Sequence, residues 1–209
     1  FIPGESQNPT DSGRLFLRKI RDEVGIPEDR LIEYNDIPLT LEGEHRSCPV
    51  ILIDDFVGSG DQCIRAWNSN RFDHGGKTLR EISTADDHIF IYSPLIVNHI
   101  GYNKIISFCR NLIIEPAHIL GPEYNLFRKE CFCWKGDEET FNNGVDLILK
   151  KSSELGIPFS NGRSTQDVRG YKEQGLAIAF EHGAPDAIPA FFYWCHEDWI
   201  PLIRKTYER

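Results

Sequence analysis

Apolar residues fall in short runs along this chain, and the spacing inside each run separates strands from helices. Val50-Ile51-Leu52-Ile53 is unbroken and β-prone, which predicts a strand buried on both faces. Asp54-Asp55 follow directly, so two carboxylates are expected at the end of that strand. Gly58-Ser59-Gly60 then predicts a turn, and Asp61 to Trp67 opens a helix. Upstream, Phe1 to Pro3 reads as the end of a strand and residues 4–13 as a loop. Leu15, Phe16, Leu17, Ile20 and Val24 give a helical stripe, capped by Asp11 or Ser12 and stopped by Gly25 and Pro27. Leu31 to Tyr34 predicts a short strand, and residues 36–48 a polar connection.

Downstream, residues 79–82 predict a short helical piece, and His88 to Val97 contains the next strand. A helix is expected over Tyr102 to Cys109 with Ile105, Ile106 and Phe108 inward, then a strand over Leu112 to Glu115 that Pro116 ends. Cys131 and Cys133 alternate in a short segment, which would point both to one face of a strand. Asp137 to Leu155 predicts a helix with Phe141, Val145, Ile148 and Leu149 near one face. Residues 156–174 are polar and expected to be mobile, and Leu176 to Phe180 predicts a buried strand. Strands alternating with helices argue for an α/β fold on a parallel sheet, with the active edge at the carboxyl ends of its strands. Two regions are expected: a core over 1–116, and a C-terminal helix, strand and cap over 117–209.

Composition narrows the function classes. The chain has 209 residues and is 40% hydrophobic, enough for one sizeable core. It carries 23 Lys and Arg against 32 Asp and Glu, a formal charge of −9. That balance argues against direct nucleic-acid binding. No apolar run approaches a membrane span. Six cysteines form no CxxC and no zinc-site spacing, so buried free thiols in a reducing cytoplasm are expected. The chain starts at Phe1 and contains no Met, so a fragment or processed form is expected.

The chemistry concentrates in two stretches. A glycine-rich turn at a helix start lets backbone N–H groups converge on an anion, and two carboxylates just upstream suit the vicinal hydroxyls of a ribose. Any α/β protein has strands that end in Asp and Gly, so the turn alone is weak; the whole string from Val50 to Gln62 is more specific. It lacks the Lys of a P-loop, which disfavours nucleoside-triphosphate hydrolysis of that type. The second stretch, Glu181 to Trp194, puts an acid, His182, Gly183, Pro185, Asp186, Pro189 and an aromatic cluster after the predicted strand. Its aromatics could stack on a nucleobase, with His182 or Asp186 moving a proton. A proline-stiffened loop covering the core is the plain alternative.

The string Val50 to Gly60 resembles the phosphoribosyl-diphosphate (PRPP) loop of type I phosphoribosyltransferases, with four apolar residues, two acids, Phe56-Val57 and the small run Gly58-Ser59-Gly60 in order. The resemblance implies that Asp54 and Asp55 hold ribose hydroxyls and take part with Mg²⁺. It implies that Gly58, Ser59, Gly60, Asp61 and Gln62 cradle the 5′-phosphate. Ser12 and Gly13 would bind pyrophosphate, and residues 36–48 would supply a catalytic loop. The family usually closes the phosphate loop with Thr, where this chain has Asp61-Gln62. A carboxylate beside a phosphate repels it unless it points away or meets a cation.

Further along, Glu181-His182-Gly183-Ala184-Pro185, Pro189, Trp194 and Trp199-Ile200-Pro201-Leu202 are similar to the phosphoribosyltransferase-like proteins of prokaryotic conflict systems, PRTase-CE. Asp186 stands where that family would have Asn. The fold implied is a three-layer Rossmann-like parallel sheet of the type I phosphoribosyltransferase kind, with a small hood from the C-terminal part. The activity implied is phosphoribosyl transfer from PRPP with Mg²⁺ and release of pyrophosphate, in a defence effector with protein partners. Catalysis would use Asp54, Asp55, His182 and Asp186; Glu181 and Trp194 would contact the ligand. The alternative is a non-catalytic nucleotide sensor in a retron-type complex.

Overall fold

The computed structural model describes residues 12–42, 49–69, 77–85, 88–181 and 183–203. The expected strand at Phe1 to Pro3, the loop before Ser12, the cap Asp11, Cys48 and His182 lie outside the described residues, as do residues 43–48 of the expected catalytic loop. The chain divides into two compact units, Phe1–Ile119 and Leu120–Arg209.

The first unit is built on a parallel sheet. Its strands are β1 (Val50–Val57), β2 (Phe90–Asn98) and β3 (Leu112–Ile114), in that spatial order, and β4 (His118–Leu120) also pairs with β2. β1 pairs with β2 from Val50↔Phe90 to Val57↔Val97, and β2 with β3 from Phe90↔Leu112 to Tyr92↔Ile114, all parallel. Parallel neighbours need crossovers. α3 (Asp61–Asn68) and α4 (Leu79–Ala85) lie between β1 and β2, and α5 (His99–Phe108) between β2 and β3. The mixed α/β architecture expected from the alternation is the one observed.

Local chemistry starts these helices where they start. Thr78 and Glu81 close a reciprocal capping box on α4: Glu81 N–H donates to Thr78 Oγ1 at 3.1 Å, and Thr78 N–H to Glu81 Oε2 at 2.7 Å. Asn98 caps α5 by accepting from Ile100 N–H at 3.2 Å. α1 (Ser12–Lys19) runs on through one wide π turn, Ile20–Val24. Gly25 then ends it in the left-handed region at φ 78°, as expected of that glycine. Val24, expected on the apolar stripe, is exposed.

One face of β1, β2 and β3 holds the core. Val50, Leu52, Phe90, Tyr92, Leu112 and Ile114 are buried on it, with Trp67 edge-on to Phe90 at 5.4 Å. The opposite face is not closed in the same way. Ile51, expected to be buried, is 57% exposed, and Ile113 is exposed as well. The run 50–53 is therefore a strand with one well-covered face. Strict alternation of side chains decides which residues that face takes.

Several expectations change. Leu31 to Tyr34 forms no strand: Leu31 N–H donates to Glu28 O and Asp36 N–H to Glu33 O, so tight turns take donors that a ladder would need. Residues 36–48 are not simply a polar connection, because α2 (Ile37–Glu42) buries Ile37 and Leu41 in the core. In α5 only Ile105 of the three expected residues points inward; Ile106 and Phe108 are exposed. β1 continues past the acid pair to Val57, so the carboxylates lie inside the strand rather than at its end.

The second unit is organised by one long helix and a densely bonded coil. α6 (Glu138–Glu154) matches the expected helix, capped by Asp137, which accepts from Thr140 N–H at 2.6 Å. Cys131 precedes a 3-10 turn, Phe132–Trp134, and Cys133 lies within it, so no strand points both to one face: Cys131 is buried and Cys133 exposed, as is Cys195. Leu176 to Phe180 is no strand of the sheet: Leu176 and Phe180 each make one isolated antiparallel bridge, to Asn125 and Gly183.

Residues 156–174, expected to be mobile, are pinned around Asp167, which is fully buried. Its Oδ2 accepts from Ser160 Oγ at 2.8 Å and Gly162 N–H at 3.3 Å, and Ser160 N–H also reaches it. Arg169 N–H donates to Oδ1 at 2.8 Å. Burial pushes this carboxyl up, but the N–H bonds from Arg169, Ser160 and Gly162 outweigh burial and hold it below its usual value.

Candidate functional site

The acid pair and the glycine turn lie where β1 passes into α3, so Asp54, Asp55 and Gly58 to Gln62 follow one another along a single stretch of chain. Period-2 geometry sends adjacent strand residues to opposite faces. Asp54 joins the core face and is only 6% exposed, while Asp55 is half-buried. The expected pair of solvent-facing carboxylates is therefore a buried one and an accessible one.

Asp54 is held on both oxygens. Tyr92 donates its hydroxyl to Oδ2 at 2.7 Å, and Asp55 N–H donates to Oδ1 at 3.0 Å. Asp55 repeats the pattern, accepting from Phe56 N–H at 2.8 Å. Burial pushes the Asp54 carboxyl up to about 8, more than the Tyr92 hydrogen bond can offset. At neutral pH it is largely a neutral acid. Below it, the bond to Cys109 and burial keep the Cys63 thiol of α3 protonated.

The turn owes its shape to two glycines. Gly60 is the N-cap of α3 at φ 75°, a conformation that favours glycine, and it brings no side chain to cap the helix. Gly101 on α5 lets that helix come close to the turn: a Cβ there would run into Gly58 O and lie 3.0 Å from Gly60 N. Asp61 opens α3. Its Oδ2 accepts from Ser59 Oγ at 3.0 Å, and its Oδ1 is paired with Lys104 Nζ from α5. The cation that a carboxylate at this position requires is Lys104, which the sequence reading did not single out. The expected pyrophosphate residues Ser12 and Gly13 open α1, which packs against β1.

In the second unit Glu181 and Asp186 are exposed. Trp194 is half-buried and donates Nε1–H to Leu155 O at 3.1 Å, so one edge of its ring is committed to the fold. Tyr193, offered as a stacking face, is buried and donates its hydroxyl to Thr165 O at 2.6 Å. Asp167 and Tyr193 tie this segment together; the sequence did not single out Asp167, and it suggested a stacking role for Tyr193. The signal was present in the turn-formers Ser160, Gly162 and Ser164 just ahead of Asp167.

Among the described residues, no group of three or more His, Cys, Asp or Glu gathers to hold a metal ion, and no helix is long and apolar enough to cross a membrane. No curated protein and no solved structure matches the chain. The family model PRTase-CE matches residues 1–205, and it covers both the β1–α3 turn and the Glu181 to Trp194 segment. With a parallel sheet carrying an acid pair and a glycine turn between β1 and α3, the chain belongs to the phosphoribosyltransferase-like family PRTase-CE.

Proposed function

We propose that this chain binds a 5-phosphorylated ribose, as PRPP or a related nucleotide, at the β1–α3 turn. The observation that carries the reading is the turn itself: a strand with an accessible carboxylate at Asp55 runs into a helix whose N-cap is a left-handed glycine. Such a helix start favours a phosphate through its N–H groups and its dipole. Asp55 accepts hydrogen bonds from the ribose hydroxyls, and Asp54, closed against Tyr92, supports the strand from behind.

In the reaction proposed, the C1–O bond to pyrophosphate breaks and an acceptor nucleophile forms the new bond to C1. The acceptor's proton passes to a general base. A bound Mg²⁺ would supply positive charge to the leaving pyrophosphate. Asp55, with oxygens of the ligand itself, fits such an ion; Asp54 in its neutral, hydrogen-bonded form does not. Ser12 and Gly13 at the start of α1 would meet the pyrophosphate. In a cell the chain would act as a defence effector with protein partners, which loss of phage restriction on Asp55→Asn would support.

Binding without turnover, as a nucleotide sensor, is favoured by one feature: Asp61 stands in the phosphate loop and engages Ser59 Oγ. Calorimetric titration of PRPP, together with an assay for released pyrophosphate, separates the readings. Binding with release supports the transferase, and binding without release supports the sensor. If neither PRPP nor a nucleoside 5′-phosphate binds, or Asp55→Asn binds them normally, the site is misassigned.

A further inference from the structure

α5 meets the phosphate loop at two points one helical turn apart. Gly101 receives the backbone of Gly58 and Gly60, and Lys104 reaches Asp61. Residues three apart on a helix share a face, so a single face of α5 sets both the loop's path and its charge. Asp61 uses its two oxygens for different partners, Ser59 Oγ on the loop side and Lys104 Nζ on the α5 side. The pair is only partly covered, with the Asp61 side chain 20% exposed and Lys104 39%.

Without Lys104 the loop would present a fixed negative charge in the first turn of α3, where the approach of a phosphate dianion is most sensitive to it. We propose that Lys104 is a positioning residue of this site. It cancels the charge of Asp61 and draws that carboxylate toward α5, so that the turn accepts a phosphomonoester. The inference rests on the reading that the β1–α3 turn binds a 5-phosphorylated ribose, and it deepens it: an Asp can replace the family's usual Thr because α5 supplies the compensating cation. Loop and α5 then act as one specificity element, selecting phosphorylated ribose over ribose.

The test is calorimetric titration of the full chain with ribose 5-phosphate, using ribose as the control. Lys104→Ala weakens binding by about ten-fold or more, the scale set by removing one charge partner near a bound anion. Lys104→Arg stays within about three-fold of wild type, because the charge is kept. The double variant Asp61→Asn with Lys104→Ala regains most of the lost affinity, which a merely structural role for Lys104 would not give. Should Lys104→Ala fail to fold, Lys104→Gln carries the same expectation with the side-chain stem retained. Wild-type affinity in Lys104→Ala, or a double variant as weak as the single one, overturns the inference while leaving the ribose-phosphate site in place. No binding of ribose 5-phosphate by the wild type overturns both.

Discussion

Tyr92 and Asp54 meet across the β1–β2 ladder as diagonal neighbours: Tyr92 stands opposite Leu52, two residues before Asp54, and its hydroxyl spans that offset to reach Oδ2 at 2.7 Å. Both side chains belong to the buried face of the sheet. An acid placed there must either find cations or keep its proton, and what Tyr92 offers it is a phenol rather than a cation. The first of the two acids is thus part of the core, and the exposed chemistry of the pair falls to Asp55.

Stability should fall as the solution becomes more alkaline. The Asp54 carboxyl lies at about 8 in the fold against an ordinary 3.8, so the folded chain keeps a proton that the unfolded chain gives up. Its contribution is complete below the ordinary value and is lost as pH rises through the folded one, at up to about 1.4 kcal/mol per pH unit. Urea midpoints should drop between pH 5 and pH 8, and Asp54→Asn should flatten that slope. A midpoint that rises over the same interval would show that Asp54 is ionised in the fold.

Removing the phenol hydroxyl should cost more than neutralising the acid. Tyr92→Phe leaves Asp54 Oδ2 buried without its donor, a loss of about 1–3 kcal/mol. Asp54→Asn keeps shape and hydrogen-bonding capacity and should cost less than about 1 kcal/mol at pH 8, where the wild type has lost its advantage. Denaturant unfolding of the two variants side by side at that pH gives the comparison. The reverse order would mean that Tyr92 does not satisfy Asp54.

Gly101→Ala sets two effects against each other. Replacing glycine inside a helix gains about 1 kcal/mol in propensity. The added Cβ also collides with the Gly58–Gly60 backbone, and relieving such overpacking costs about 1–3 kcal/mol. The collision should win: the melting temperature falls and ribose 5-phosphate binding weakens as the loop moves. A more stable variant with unchanged binding would refute the close approach of α5.

The second unit should fail at the acid end of the pH scale. Asp167 is held below its usual value, so its contribution is present above the ordinary carboxylate range and lost as pH falls through the lowered one. Asp167→Ala strands four donors, from Ser160, Gly162 and Arg169, and should destabilise the fold by about 3 kcal/mol or more. Amide exchange would then quicken at Gly162 and Arg169 first. Unchanged protection there would show that Asp167 does not organise the coil.

What could be read from the sequence was what depends on near neighbours. The β1 run, the turn into α3 and the length of α6 carry their signals locally. Leu31 to Tyr34 and Leu176 to Phe180 misled for one shared reason: β propensity reports fit to a pleated, half-buried surface, and turns and coil can bury the same residues. Asp54 looked like a strand-end acid because its burial depends on Tyr92, 38 residues away. Lys104 was invisible for the same reason, lying 43 residues from the Asp61 it neutralises. The site was legible as a string of residue types, and its charge state was not.

The proton kept by Asp54 makes unfolding near neutrality a source of acid. Each molecule that opens at pH 7 releases close to one proton from this group, and the surrounding buffer must take it up. Unfolding heats measured in phosphate and in Tris should therefore differ by the difference in the two buffers' ionisation enthalpies, even where the melting temperatures agree. The core carboxylate would then be visible to a calorimeter as a difference between solvents.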